Sequence, residues 1–161
     1  MVESAHAAAE TAKPVIRSIV VGTDGSATAT RAVSEAAELA SAAGAKLYLV
    51  RAYTHVPEGT FGDGRERAPE EIRWMLGSKQ EMERMLAEES ESISAAGIEV
   101  EVVAVEGDPA EAILGVAENL GADLIVVGNK GMTGAERFLL GSVPNKISHH
   151  APCAVWIVRT T

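Results

Sequence analysis

The sequence predicts one α/β domain: an open parallel five-stranded sheet with helices on both faces. Three observations predict it. From residue 15 onward, short apolar runs alternate with segments whose apolar residues recur at helical spacing. The length, 161 residues, suits one domain with a real core. A glycine-rich turn, Gly128-Asn129-Lys130-Gly131, joins an apolar run to a segment that reads as a helix.

The elements follow in order. Residues 1–14 are Ala-rich, with Glu3, His6, Glu10 and Lys13. They lack the basic start and apolar centre of a signal peptide and read as a disordered tail, so residues 15–161 form the domain. Residues 15–22 read as the first strand. Ser26 caps a helix through Ala43, with Ala29, Ala32, Val33, Ala36, Ala37 and Ala40 at helical spacing and Gly44 at its end. Residues 46–53 form the second strand. Residues 55–67 hold Pro57, Gly59, Gly62 and Gly64 and read as a mobile loop, with Phe61 able to reach over a ligand.

Pro69 opens a helix, favoured by Glu70 and Glu71, that runs to about Ala96 and stops at Gly97. In residues 98–105, Ile98, Val100 and Val102 alternate with Glu99 and Glu101, a half-exposed strand near an edge. Asp108-Pro109 opens a helix to Leu120. Residues 124–127 are the fourth strand, 144–150 a helix, and 154–159 the fifth strand. There is no internal repeat and no second domain.

Composition narrows the function. Hydrophobic residues make up 47% and aromatics only 4%, so the core is built of Val, Ile, Leu and Ala. The net charge of −9 argues against a nucleic-acid surface and leaves any phosphate site to local donors. No apolar run reaches the length of a membrane span. Cys153 is the lone cysteine, which forbids an internal disulfide and fits a cytoplasmic protein.

Gly128, Gly131, Gly141 and Ser142 carry the chemistry, in the pattern G-x2-G-x9-G-S. Glycines let a backbone approach an anion closely, and a helix start offers unbonded N–H groups and partial positive charge. Ser142 adds a hydroxyl and could also cap the helix. Pro144 has no N–H, so the expected donors are Ser142, Val143 and Asn145. Neither G-x4-G-K-[ST] nor G-x-G-x-x-G occurs, which excludes the commonest ATP and NAD loops.

This spacing resembles the ATP-binding branch of the universal stress protein family. Ile19-Val20-Val21-Gly22-Thr23-Asp24-Gly25-Ser26 is similar to that family's first strand and aspartate turn, and Ala151-Pro152-Cys153-Ala154-Val155-Trp156-Ile157-Val158 to its last strand. The resemblance covers nearly the whole chain. It implies a Rossmann-like sheet of order 3-2-1-4-5, with a ligand in the crevice between strands one and four. It assigns ligand contacts to Asp24, Ala52, Gly128, Gly131, Gly141, Ser142 and Val143; Gly22, Thr23, Val127, Asn129 and Lys130 join the candidate site as their neighbours. Ala52 would contact adenine through main-chain groups.

It also implies ATP as the ligand, with Mg²⁺ able to arrive with it. Family members that bind cyclic AMP are similar over residues 139–144, so that ligand stays open. Two further readings stay open: a nucleotide-independent dimeric interaction module, and a slow ATPase. No general base or arginine finger is evident, so a sensor or regulator is expected rather than an enzyme. The resemblance further implies a homodimer paired through strand 154–159, which in a monomer would be an apolar edge.

Single residues keep two readings. Asp24 could face the nucleoside or only bond its own turn. Lys130 and Arg137 could meet phosphate or solvent. Asn129 could bond a sugar or stabilise the turn. Adjacent His149 and His150 suit a helix end and do not share a face for metal. Cys153 reads as a small buried thiol.

Overall fold

The computed structural model describes residues 15–57, 60, 65–130 and 140–160. Five parallel strands, β1 (Ser18–Gly22), β2 (Lys46–Tyr53), β3 (Val100–Glu106), β4 (Leu124–Gly128) and β5 (Ala154–Val158), stand in the order β3-β2-β1-β4-β5. The chain starts in the centre, winds outward through β2 and β3, then returns to the other side of β1 for β4 and β5. The tail, residues 1–14, lies outside the described residues.

Alternation in the strands makes two cores. Ile19 and Val21 face α1 (Ala27–Ala43) and α3 (Lys79–Ala95), where Leu47, Leu49, Met82 and Leu86 join them. Val20 faces α4 (Pro109–Leu120) and α5 (Ser142–His150), with Val50, Ile113, Ile125 and Ile147. Full burial of each such side chain is worth about 1.5–3 kcal/mol. β1 and β4 lie inside the sheet and are apolar on both faces. β3 is an edge, and its exposed Glu101 explains the alternation seen in the sequence.

Caps set the helix limits. Ser26 Oγ accepts from the Ala29 N–H at 3.1 Å, and Gly44 closes α1 in the left-handed region at φ 65°. The six expected α1 residues are all buried. Asp108 caps α4, Pro109 follows in the first turn, and Gly121 closes it at φ 60°. At the opposite end of the sheet, Asp123 Oδ2 accepts from the N–H groups of Arg17 (2.9 Å) and Ser18 (3.1 Å). This pins the start of β1 to the start of β4. Those bonds hold the Asp123 carboxyl below its usual range.

Three expectations need correction. The helix expected over residues 69–96 is two helices, α2 (Glu70–Arg73) and α3. Between them Leu76 is buried and bridges Thr54, and Ser78 recaps the chain by accepting from the Glu81 N–H at 3.2 Å. β1 starts at Ser18, not at residue 15, because Val15 is 89% exposed and pairs with no strand. α5 starts at Ser142 with Gly141 as its N-cap, so Ser142 lies inside the helix and caps nothing. In the loop 55–67, residues 58–59 and 61–64, including Phe61, lie outside the described residues. No helix among the described residues is long and apolar enough to cross a membrane.

Candidate functional site

β1 and β4 are neighbours, yet the chain leaves them toward opposite faces: to α1 after β1, to α5 after β4. Such divergence opens a crevice at the carboxyl ends of the strands. A cavity of about 340 Å³ occupies it. Gly22, Thr23 and Asp24 line it from the end of β1, and Ala52 from β2. Val127 and Gly128 line it from β4, Lys130 from the turn after it, and Gly141, Ser142 and Val143 from the start of α5. Asn129 is not among the lining residues, and Gly131 and Arg137 lie outside the described residues.

Asn129 instead holds the turn together. Its side-chain carbonyl accepts from the Thr160 N–H and hydroxyl, its own N–H donates to the Val158 carbonyl at 2.8 Å, and its carbonyl accepts from the Gly141 N–H at 3.0 Å. The two ends of the glycine loop therefore meet. That closeness leaves little room for a side chain at either glycine. A Cβ at Gly141 would stand 3.3 Å from the Asn129 carbonyl, and one at Gly128 3.3 Å from the Lys130 carbonyl.

The Asn145 N–H donates to the Gly141 carbonyl at 3.0 Å. It is thus the first intrahelical bond and not the expected anion donor. With Pro144 lacking an N–H, the described donors at the helix start are the Ser142 and Val143 N–H groups and the Ser142 hydroxyl. They suit one phosphate group.

The β1 turn is braced from behind. Asp24 Oδ1 accepts from the Ser26 N–H at 2.9 Å, so its turn role is realised. The Thr23 hydroxyl accepts from the Gly25 N–H at 3.2 Å and donates to Glu89. Gly25 sits at φ 79°, and a Cβ there would stand 2.8 Å from Arg51 Nη1. Arg51 is only 4% exposed, and its Nη2 donates to the Trp74 carbonyl at 3.1 Å. Burial works against its charge, while Asp24 and Glu89 support it. Burial likewise pushes the Glu89 carboxyl up, against the pull of Thr23 and Arg51.

β2 carries a further feature. Along it, backbone groups alternate between neighbours: Val50 accepts from Thr23 on the β1 side, and Tyr53 accepts from Gly107 on the β3 side. Ala52 therefore turns its N–H and C=O to the β1 side, at a level that β1 has already left. One rung higher, Thr54 donates to the Met75 carbonyl (2.7 Å) and accepts from the Gly77 N–H (3.2 Å). Residues 75–77 stand where β1 would have continued. Among the described residues, the donor and acceptor of Ala52 face a gap between the two, at the cavity wall.

Sequence reasoning missed part of this lining. Val50, Asp108, Pro109 and Ile113 face the cavity from β2 and the start of α4, and Trp74 and Met75 from the segment before α3. Asp108-Pro109 had a usable signal: it follows β3 and must lie at the same end of the sheet. Trp74 had none. Lys146 Nζ bridges Asp108 (3.4 Å) and Glu111 (2.6 Å), tying α5 to the start of α4. His149 and His150 close α5 at its far end. Cys153, beyond it, is half-buried, which pushes its thiol up.

The crevice thus joins a helix start bearing N–H and hydroxyl donors, an apolar slot and a backbone edge. The model of the universal stress protein family matches residues 16–159. The chain belongs to the universal stress protein family. A universal stress protein of Mycobacterium tuberculosis H37Rv is 35% identical over 145 residues, 90% of this chain and 97% of that one. One from Thermus aquaticus is 35% identical over 146 residues, covering 90% and 100%. A universal stress protein solved in complex with cAMP is 34% identical, with a TM-score of 0.66 over 91% of this chain and 98% of that one. The sheet order of this universal stress protein is the one its sequence led us to expect.

Proposed function

We propose that the crevice binds an adenine nucleotide and that the protein acts as a nucleotide-responsive regulator rather than an efficient catalyst. The observation that carries this reading is the convergence on one cavity of the Asp24 turn, Ala52 and the α5 start. The phosphate sits at Ser142 and Val143, and the base edge meets the Ala52 gap, where N–H and C=O complement an acceptor and a donor on adenine. The carboxylates in the wall already carry structural bonds, Asp24 to Ser26 and Asp108 to the Glu111 N–H at 3.0 Å. Neither is poised as a general base.

ATP, with Mg²⁺, is the ligand that the loop spacing favours. Cyclic AMP is favoured by two observations. The described donors at α5 suit a single phosphate, and a relative 34% identical over nearly its full length was solved with that ligand. The protein works as a homodimer through β5, whose Trp156 is 37% exposed on an open sheet edge.

Calorimetric titration with ATP–Mg²⁺ and with cyclic AMP, beside a Gly141→Ala, Ser142→Ala double variant, tests the reading. Micromolar binding that the variant loses supports it, and the tighter ligand names the branch. No heat from either ligand, in protein freed of co-purified nucleotide, overturns it in favour of an interaction module.

A further inference from the structure

We infer that Trp74 packs its indole against the nucleobase, making residues 74–77 the element that reads a flat heterocycle. This rests on the adenine-nucleotide reading and deepens it. The chain holds two Trp, two Tyr and two Phe. Trp74 is the one aromatic among the described residues that line the cavity. Its side chain is half-buried, and the residue stands in the cavity wall.

Its place is over-determined. The Met75 carbonyl and the Gly77 N–H both engage Thr54, and Leu76 is 3% exposed. The Trp74 carbonyl accepts from Arg51, an arginine buried where arginines are seldom found. The backbone of Trp74 is therefore fixed before any ligand arrives, and preorganised contacts cost less to use. Thr54 lies two residues beyond Ala52, about 6.6 Å along the strand. Trp74 and Ala52 line the same cavity. A base whose edge meets Ala52 then lies within reach of the ring, while Val50, Pro109 and Ile113 supply the remaining apolar wall. Base–aromatic stacking tolerates different edges, so Trp74 sets the requirement for a base and Ala52 its identity.

The protein's own tryptophans provide the test. In Trp156→Phe, Trp74 is the sole tryptophan. Adenosine and ATP or cyclic AMP should change its emission along the same isotherm as calorimetry, and ribose 5-phosphate should not. Trp74→Leu should weaken nucleotide binding about tenfold, and Trp74→Phe about threefold. Calorimetric binding with unchanged Trp74 emission, or with full affinity in Trp74→Leu, overturns the inference and leaves the nucleotide reading intact. Absence of any nucleotide binding to the parent overturns both. The emission measurement uses the native residue, so it stands even if Trp74→Leu fails to fold.

Discussion

Asn129 and Thr160 meet through two hydrogen bonds on one oxygen: Asn129 Oδ1 accepts from the Thr160 N–H at 2.9 Å and from its hydroxyl at 2.8 Å. A residue of the glycine motif thus clasps the end of β4 to the chain leaving β5. Asn129→Ala should cost about 1–3 kcal/mol of stability, since it strands a half-buried N–H and hydroxyl. Urea denaturation measures it. Asn129→Asp keeps the acceptor oxygens and should recover most of the loss. An alanine variant as stable as the parent would show that the clasp contributes nothing.

Glu89 should carry a pH signature. Burial raises its folded pKa, so the folded state favours the neutral acid. Its stability contribution is present below the unfolded value, about 4.3, and is lost as pH rises through the raised folded value. Glu89→Gln keeps an acceptor for Thr23 without the charge. The variant should be more stable than the parent at pH 7 and no more stable at pH 4. Thermal midpoints at the two pH values check this; a gain of equal size at both would place the effect outside titration.

Asp123 should show the opposite sign. Its folded pKa is lowered, first by the Arg17 N–H, so its contribution is present above the unfolded value, about 3.9. It is lost as pH falls through the depressed folded value. Asp123→Asn should be less stable than the parent at pH 7, and the gap should narrow as pH falls below the unfolded value. Parallel stability curves across that window would contradict the assignment.

The proposed dimer rests on β5. Trp156→Asp places a charge on the exposed edge, and light scattering should then report a monomer. An unchanged dimer mass would move the interface elsewhere. A parent that is already monomeric would remove it.

Much of the fold was legible because local chemistry announces it. Ser26 with Gly44 marked both ends of α1, and Asp108-Pro109 marked the start of α4. The break between α2 and α3 was not, although Gly77-Ser78 followed by Glu81 is a capping signal. The helical pattern on both sides masked it. What fixes the break is non-local: Thr54, just past the end of β2, takes the backbone of residues 75–77. The same cause hid Trp74 from the candidate site. The glycine loop, by contrast, was legible because the tight room at Gly128 and Gly141 comes from contacts within the loop's own ends. Arg51 reads in the sequence as one more strand residue, and only packing under Gly25 and Trp74 reveals its bracing role.

The gap beside Ala52 has a consequence for how occupancy is felt. A sheet interrupted for one rung has unfinished masonry between β1 and residues 75–77. In the proposed reading the base is the missing brick, touching both sides of the breach at once. Its arrival stiffens the seam from β1 to α3, and its departure slackens the same seam. On that reading the state of this seam follows the supply of the nucleotide, with no covalent bond made or broken.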